Sequence, residues 1–326
     1  MTNATDDTAL SRPAPSHPAP PHPAALSHDE QHARIAVLAD GVELLSYHYR
    51  PDLPAFECPA PYIHPLRTLS GGVVTTHRPN DHRWHKGLAM TASHLSGNNF
   101  WGGASYVHGA PNGGYVVLPN VGRLDHTGFS ALDSTAGGPA RIEETVDWVA
   151  PDGGVWLRES RTLSVPEVDP VRGHWTLEFA TRLLNASGRE LAFGSPTVAG
   201  REMAGYTGFF WRGPRSFAGG RIQAGGDLDG PAAMGRTAPW LAFTGEFDER
   251  DGHATLLFRA APDTPGGDPH WFVRTQPFAA VNPSLAFFKA LILPDGATLD
   301  RSYRVTIADG AWDRNRIEAH LAERSW

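Results

Sequence analysis

The chain has 326 residues, of which 40% are hydrophobic, and this is enough apolar material for a sizeable core. Lys and Arg number 28 against 35 Asp and Glu, a formal net charge of −7, and without a basic run this argues against nucleic acid as a partner. The single cysteine, Cys58, excludes an intrachain disulfide and favours a reducing compartment. With no stretch of roughly twenty apolar residues, the sequence predicts a soluble, cytoplasmic protein without a membrane partner.

The chain begins with a proline-rich segment that has neither the basic start nor the apolar run of a signal peptide. We therefore predict a disordered tail over residues 1–30. No internal linker or fixed-period repeat follows, so residues 31–326 are predicted to form a single β-sandwich domain.

Beyond the tail, short β-rich runs alternate with turn residues, and 35 glycines and 28 prolines are available for those turns. This pattern predicts an all-β fold, a large antiparallel β-sandwich with few helices and a short C-terminal helix at 313–324. Segment 87–95 is ambiguous between strand and helix. The predicted strands are 34–39, 42–49, 62–69, 114–124, 141–149, 155–165, 174–184, 240–247, 254–259, 271–275 and 302–308.

Strict alternation in a strand allows the direction of its side chains to be read from the sequence. In 155–165, Glu159 and Arg161 share a face with Leu157 and Leu163, and Glu144 lies on the apolar face of 141–149 in the same way. Charged groups on an apolar face need partners. Three interpretations stay open: an internal ion pair, strands whose apolar face curves into a solvated opening, or the lining of a ligand pocket in which Glu159 and Arg161 bind substrate.

The densest group of chemically active residues is the segment 77–87, which contains three histidines within nine residues. Imidazole exchanges protons near neutral pH, so His82 and His85 are the candidate catalytic groups, with Arg78 and Asp81 orienting them or binding a hydroxylated ligand. Pro79 and Asn80 favour a turn, which predicts a loop.

Two other interpretations of this loop are open. The histidines are either ordinary surface groups, or two or three of them bind a divalent metal together with Glu202 or Glu159. Because no recognised metal-binding signature accompanies them, we predict no metal and no cofactor. Asn99 and Trp101, in the polar-aromatic segment that follows the loop, are predicted to contact the ligand.

A second polar-aromatic segment, 200–215, places one acid and three arginines among aromatic rings and glycines. Such a mixture suits a polyhydroxylated ligand, with Glu202 as general base, Trp211 stacking on a sugar face and Arg212 binding hydroxyls. Alternatively, 209–211 is core and the arginines are on the surface. His270 is a further candidate contact, although a structural histidine is the simpler interpretation.

These motifs resemble a bacterial family that carries the label "methane oxygenase PmoA". The resemblance rests on the segments 61–68, 78–88, 99–101, 208–220, 234–240 and 271–274 and extends over nearly all of the chain after residue 33. Members often have a His-His pair where this chain has Trp84-His85. The resemblance implies a galactose-mutarotase-like sandwich, whose members use a His and a Glu as acid and base on sugar rings.

The function predicted from these observations is that of a carbohydrate-active enzyme, an epimerase, isomerase, lyase or hydrolase, whose partner is a small sugar or polyol. His82 or His85 would supply the acid and Glu202 the base. The alternatives are a non-catalytic sugar-binding module and a metal-dependent oxygenase. The sequence leaves the oligomeric state open.

Overall fold

The structure, a computed structural model, describes residues 23–134, 139–262, 267–324 and 326. In chain order its strands are β1 (Ala25–Asp29), β2 (Arg34–Ala39), β3 (Val42–His48), β4 (Tyr62–Leu66), β5 (Leu88–Leu95), β6 (Asn98–Phe100), β7 (Ser105–Tyr106), β8 (Tyr115–Val116), β9 (Arg123–Asp133), β10 (Ala140–Val149), β11 (Val155–Asp169), β12 (His174–Asn185), β13 (Leu191–Gly194), β14 (Gly208–Arg212), β15 (Arg221–Ala224), β16 (Leu228–Asp229), β17 (Trp240–Glu246), β18 (His253–Ala260), β19 (His270–Arg274), β20 (Ala280–Ser284), β21 (Leu291–Leu293) and β22 (Thr298–Asp309). Short 3-10 helices span Ala55–Glu57, Asn112–Gly114, Arg215–Phe217 and Gly230–Ala233, and the α-helix α1 spans Arg314–Glu323.

Two large sheets dominate the described residues. One has eleven strands, with the main order β1-β2-β3-β4-β5-β14-β20-β19, and the other has nine, in the order β16-β15-β17-β18-β22-β12-β11-β10-β9. The paired strands are antiparallel, as the pairings of β10 with β11 and β12 with β22 illustrate. The prediction of an all-β, large antiparallel sandwich with a short C-terminal helix is confirmed.

The core lies between the two sheets. Phe209 of β14 stacks on Tyr303 of β22 with ring centroids 4.6 Å apart, and Trp211 of β14 contacts Phe243 of β17 at 5.1 Å. Because side chains alternate along a strand, Phe210 must point to the opposite face of the eleven-stranded sheet. That outer face carries the candidate site.

Most predicted strands are present, but 114–124 is wrong as one strand. Only Tyr115–Val116 and the beginning of β9 are extended there. Pro119 and Gly122 interrupt the segment, since proline lacks a backbone donor and glycine marks a turn. The ambiguous segment 87–95 forms β5. In the predicted tail, Ala25–Asp29 pairs with β2, whereas residues 1–22 lie outside the described residues.

Glu159 and Arg161 form an ion pair inside the sandwich, so the prediction that they line a ligand pocket is wrong. Arg161 Nε lies 2.7 Å from Glu159 Oε1, and both side chains are almost completely buried. Trp148 Nε1 donates to Glu159 at 2.8 Å, and Arg161 donates to the hydroxyl of Tyr47 at 3.0 Å. The face of β11 that carries Leu157 and Leu163 together with Glu159 and Arg161 therefore points into the core. The interpretation of an internal ion pair is confirmed.

The network continues from Tyr47, which lies in the other sheet. Its hydroxyl donates a short hydrogen bond to Glu144, whose second oxygen lies 2.6 Å from His126 Nδ1. The ion pair thus links the two sheets through one phenol.

No helix in the described part of the chain has the length and apolar character that a membrane crossing requires.

Candidate functional site

A cavity of about 400 Å³ opens on the outer face of the eleven-stranded sheet. A volume of this size is in the usual range for small-molecule sites. The residues that line it are His82, Trp84, His85, Ser93, His94, Asn99, Trp101, Gly102, Ala104, Ser105, Tyr106, Tyr115, Pro196, Arg201, Tyr206, Phe210, Phe272, Arg274, Pro277 and Phe278.

The floor of the pocket is aromatic because one residue of β14 faces outward. Phe210 and Trp101 lie with ring centroids 4.5 Å apart. Trp101 also contacts His85 at 5.6 Å on one side and Tyr206 at 4.8 Å on the other. The floor therefore offers an apolar surface of the kind that stacks against the face of a sugar ring.

The loop that carries the histidines is the expected turn structure, and it is anchored to its neighbours. Arg78 donates to Glu57 with both Nε and Nη2, at 2.6 and 2.8 Å. Buried Lys86 donates to the carbonyl of Glu57 at 2.6 Å, and burial lowers the pKa of Lys86 to about 8. Arg78 is thus a structural clamp and does not line the pocket, contrary to its predicted role in substrate binding.

Asn99 fixes the turn that presents Trp101. Its Oδ1 accepts hydrogen bonds from the backbone N–H groups of Trp101 and Gly102, at 2.8 and 2.9 Å. Gly103 lies directly under the Trp84 ring, where a Cβ would come within 2.5 Å of the indole. Asn99 lines the pocket, but its side-chain oxygen is already used by the backbone.

Two imidazoles are stacked at one end of the pocket. The rings of His82 and His85 lie 4.7 Å apart and 18° from parallel. His82 Nδ1 is 3.0 Å from Asp81 Oδ2, and Arg212 Nη1 is 2.8 Å from His85 Nδ1. Arg212 also donates to Asp81 at 3.1 Å. One guanidinium therefore holds both His85 and the Asp81–His82 pair in place.

These contacts assign opposite tautomers to the two rings. A guanidinium can only donate, so His85 Nδ1 accepts and its proton is on Nε2. A carboxylate can only accept, so His82 carries its proton on Nδ1 and has a free lone pair on Nε2. The stacked pair therefore combines one hydrogen-bond donor with one proton acceptor.

Burial keeps both imidazoles neutral. It lowers the pKa of His85 well below its ordinary value, and repulsion from His82 when that ring is protonated, and from Arg212, acts in the same direction. Burial also lowers the pKa of His82, although Asp81 opposes this. For Asp81 itself burial raises the pKa, but the hydrogen bonds from His82 and Arg212 outweigh that effect and the net pKa is lowered.

The other end of the pocket consists of phenols and arginines. The hydroxyls of Tyr115 and Tyr206 are 2.6 Å apart, and Arg201 donates a short hydrogen bond to Tyr115. Arg274 lies over the Phe272 ring at 5.3 Å. Burial, and then the neighbouring Tyr115, raise the pKa of Tyr206 well above its ordinary value, so this phenol is a donor at neutral pH.

The sequence analysis did not predict the residues at this phenol-and-arginine end of the pocket. Arg201 and Tyr206 belong to the polar-aromatic segment 200–215, and Arg274 belongs to the predicted strand 271–275, but none of the three was predicted as a site residue. Tyr115 was hidden in the wrongly predicted strand 114–124.

Three predicted site residues lie elsewhere. Glu202 is exposed and does not line the pocket, so the structure gives no support for it as a general base there. Trp211 is completely buried in the sandwich and donates to the carbonyl of Val74 at 2.9 Å. His270 Nδ1 contacts the carbonyl of Gly235 at 2.9 Å and acts as a structural histidine. Both Trp211 and His270 are outside the pocket lining.

The loop histidines do not form a metal-binding group with Glu202 or Glu159 within the described ranges. There, the potential ligands that lie within reach of one another are Glu167, Asp169 and His174. Arg324 already pairs with both carboxylates of that group. The guanidinium of Arg324 therefore supplies the positive charge that balances these two carboxylates.

The base of the histidine loop rests on a stack of four rings, formed by His48, Tyr62, His77 and His64. The centroid distances are 4.7 Å from His48 to Tyr62, 4.6 Å from Tyr62 to His77 and 5.5 Å from His64 to His77. Burial lowers the pKa of both His64 and His77 to about 4. The stack is therefore uncharged at neutral pH.

This stack predicts acid sensitivity. Between pH 6.5 and 4 the unfolded chain binds more protons than the folded chain, so the free energy of unfolding falls as the pH falls. Replacing His77 with Gln should reduce that slope by about 1 kcal/mol per pH unit. Urea unfolding at a series of pH values measures it. His253→Gln, at an exposed position, is the control, and equal slopes in both variants would contradict the assignment.

The chain belongs to a family of unknown function, DUF6807, whose model matches residues 34–322. No curated protein matches the sequence. The label "methane oxygenase PmoA" stays a prediction.

Several solved structures are similar to this chain. One is the α-galactosidase AgaA of Geobacillus stearothermophilus in complex with stachyose, at 12% identity and a TM-score of 0.40, covering 82% of this chain and 40% of that one. Another is an α-galactosidase from Lactobacillus brevis, at 10% identity and a TM-score of 0.41, covering 94% and 40%. A GalM/aldose epimerase homologue from C. elegans has 9% identity and a TM-score of 0.28, covering 86% and 97%.

This chain thus spans about two fifths of the length of the galactosidases that it matches. TM-scores below 0.5 leave the likeness too distant to transfer a substrate or a mechanism.

Proposed function

We propose that this chain is a carbohydrate-active enzyme whose outer-face pocket carries out acid–base chemistry on a small sugar or sugar-derived ligand. The observation that carries the proposal is the pair of neutral, stacked imidazoles with opposite tautomers, His82 and His85, at one end of an aromatic-floored pocket. A proton acceptor beside a hydrogen-bond donor is the minimum needed to move a proton next to a polarised oxygen.

In this proposal the roles differ from those predicted from sequence. His82 Nε2 accepts a proton from a ligand hydroxyl or from a carbon next to a carbonyl, and Asp81 stabilises the imidazolium that forms. His85, which stays neutral, donates from Nε2–H to the oxygen on which negative charge develops. From an anomeric hydroxyl, the C=O bond forms as the ring C–O bond breaks, His82 returns the proton to the ring oxygen, and the ring closes again after rotation at that carbon. From a carbon next to a carbonyl, an enediolate forms and His82 returns the proton to the neighbouring carbon. The net reaction is an isomerisation or an anomeric epimerisation without oxidation.

The aromatic groups support the assignment of a sugar-like ligand. Trp101 and Phe210 form the floor, and half-buried Trp84 stands at the edge next to His82, with ring centroids 5.1 Å apart. Aromatic faces take the apolar face of a pyranose, while Tyr206 and the imidazoles take hydroxyls.

A thermal-shift screen against monosaccharides, oxidised sugars and sugar acids tests ligand binding. We expect one sugar class to stabilise the fold by about 2.7 kcal/mol at a concentration 100 times its Kd, because only the folded chain has the pocket. Trp84→Ala should remove most of the shift. Phe288→Ala, at an aromatic residue that is 51% exposed and outside the pocket, is the control.

Proton NMR on the stabilising sugar then follows epimerisation or isomerisation. Binding without any turnover would favour the non-catalytic sugar-binding module. No shift with any sugar would contradict the proposed function.

A further inference from the structure

The charge of the pocket lining is opposite in sign to that of the chain. The whole chain has more acids than bases, 35 against 28. The described residues that line the pocket, however, include Arg201 and Arg274 and no Asp or Glu. A ligand in this pocket therefore meets two guanidinium groups and no carboxylate.

Both guanidiniums lie at the phenol end of the pocket. Arg201 donates to the Tyr115 hydroxyl and its guanidinium carbon lies 5.0 Å from the centre of that ring. Arg274 lies over Phe272, whose ring meets Tyr206 edge-on at 5.3 Å. The two cations thus lie near Tyr206, and the charge of each acts on that phenol.

Neither arginine is compensated by an acid among the described residues. No ion pair joins Arg201 or Arg274 to a carboxylate there, whereas Arg212 pairs with Asp81 and Arg161 with Glu159. Burial, and then the charge of Arg201, lower the pKa of Arg274. Two half-buried like charges without a counterion are unfavourable, and an anion between them relieves both the repulsion and the desolvation.

We propose that the pocket binds an anionic sugar, and that Arg201 and Arg274 form a subsite for its carboxylate or phosphate group. The arginine subsite rests on the proposed function in one respect: the part of the ligand outside the subsite is taken to be a sugar. Guanidinium groups match the planar carboxylate and the phosphate with paired hydrogen bonds. The charged group at this end leaves the hydroxylated part of the ligand over Trp101 and next to His82.

Calorimetric titration of the full chain at constant ionic strength tests the subsite. The probes are glucose, glucuronate, glucose 6-phosphate and inorganic phosphate, so that the carboxylate and phosphate arms are separate. We expect glucuronate or glucose 6-phosphate to bind at least about tenfold more tightly than glucose, and inorganic phosphate to compete with it.

Arg274→Gln should remove most of the preference for the anion, and Arg201→Gln should do the same if the first variant does not fold. Arg274→Lys should retain part of it, because the charge remains but the paired geometry is lost. Arg158→Gln, an exposed arginine outside the pocket, makes the same change in net charge and should leave the preference unchanged.

The outcomes separate the two proposals. Arg274-dependent binding of inorganic phosphate without binding of any sugar would support the subsite and contradict the proposed function. Binding of glucose as tight as that of both anions, unchanged in Arg274→Gln, would overturn the subsite and leave the proposed function standing. Absence of binding by every probe, inorganic phosphate included, would also overturn the subsite.

Discussion

Replacing Glu159 with Gln is expected to lower the free energy of unfolding by about 3–5 kcal/mol. The carboxylate accepts hydrogen bonds from Arg161, Trp148 and Thr181 inside the sandwich. A neutral amide leaves the buried guanidinium of Arg161 without its counterion and places an N–H₂ group against donors. Urea unfolding at neutral pH measures the loss.

Two further variants define the cause. Glu143→Gln, on the neighbouring strand, removes an acid paired with exposed Arg141 and should leave the free energy of unfolding nearly unchanged, because solvent screens surface ion pairs. The double variant Glu159→Leu, Arg161→Met should recover much of the loss, because it removes both charges together. A loss in Glu159→Gln as small as that in Glu143→Gln would contradict this account of the core.

Replacing His82 with Asn is expected to reduce turnover of the sugar found in the ligand screen by about 10²–10⁴-fold. Asn retains an N–H group for Asp81, but its amide has no basic nitrogen that can take a proton from the ligand. Ligand affinity should change far less than turnover. Because burial lowers the pKa of His82 below 6.5, we expect activity to be constant near neutral pH and to fall only at pH values below 6.5, where the base becomes protonated.

Glu202→Gln decides between the sequence-based assignment of the base and the structural one. The exposed position of Glu202 outside the pocket predicts turnover within twofold of the unchanged chain, whereas a general base at this position would require a large loss.

For the His82→Asn variant, His253→Asn at an exposed position controls for the loss of an imidazole. Full turnover in His82→Asn would refute the proposed role of His82.

The local part of the site could be predicted from the sequence because it is contiguous. Pro79 and Asn80 indicate a turn, and the histidines on either side of it belong to one short loop. The sequence therefore predicts His82, His85 and Asp81 as neighbours. Arg212 was predicted separately, as a hydroxyl-binding residue of segment 200–215, and the structure places its guanidinium on Asp81 and His85 instead. Its backbone N–H donates to the carbonyl of Gly87 at 2.7 Å.

The phenol-and-arginine end of the pocket could not be predicted in the same way. Tyr115, Tyr206 and Arg274 come from three separate regions of the chain and meet only when β8, β19 and the segment before β14 are brought together. No local spacing connects residues that far apart. Pairing between distant strands decides such contacts.

The sequence by itself determined the all-β class, most strand positions, the C-terminal helix and the two faces of each strand, because alternation and turn residues are local properties. Only the tertiary structure decided which face of β14 points into the core. That choice buried Trp211 and put Phe210 in the pocket, and the corresponding choice for β11 buried Glu159 and Arg161 as an internal pair. Alternation fixes two sets of side chains, but the packing of the opposite sheet selects which set is covered.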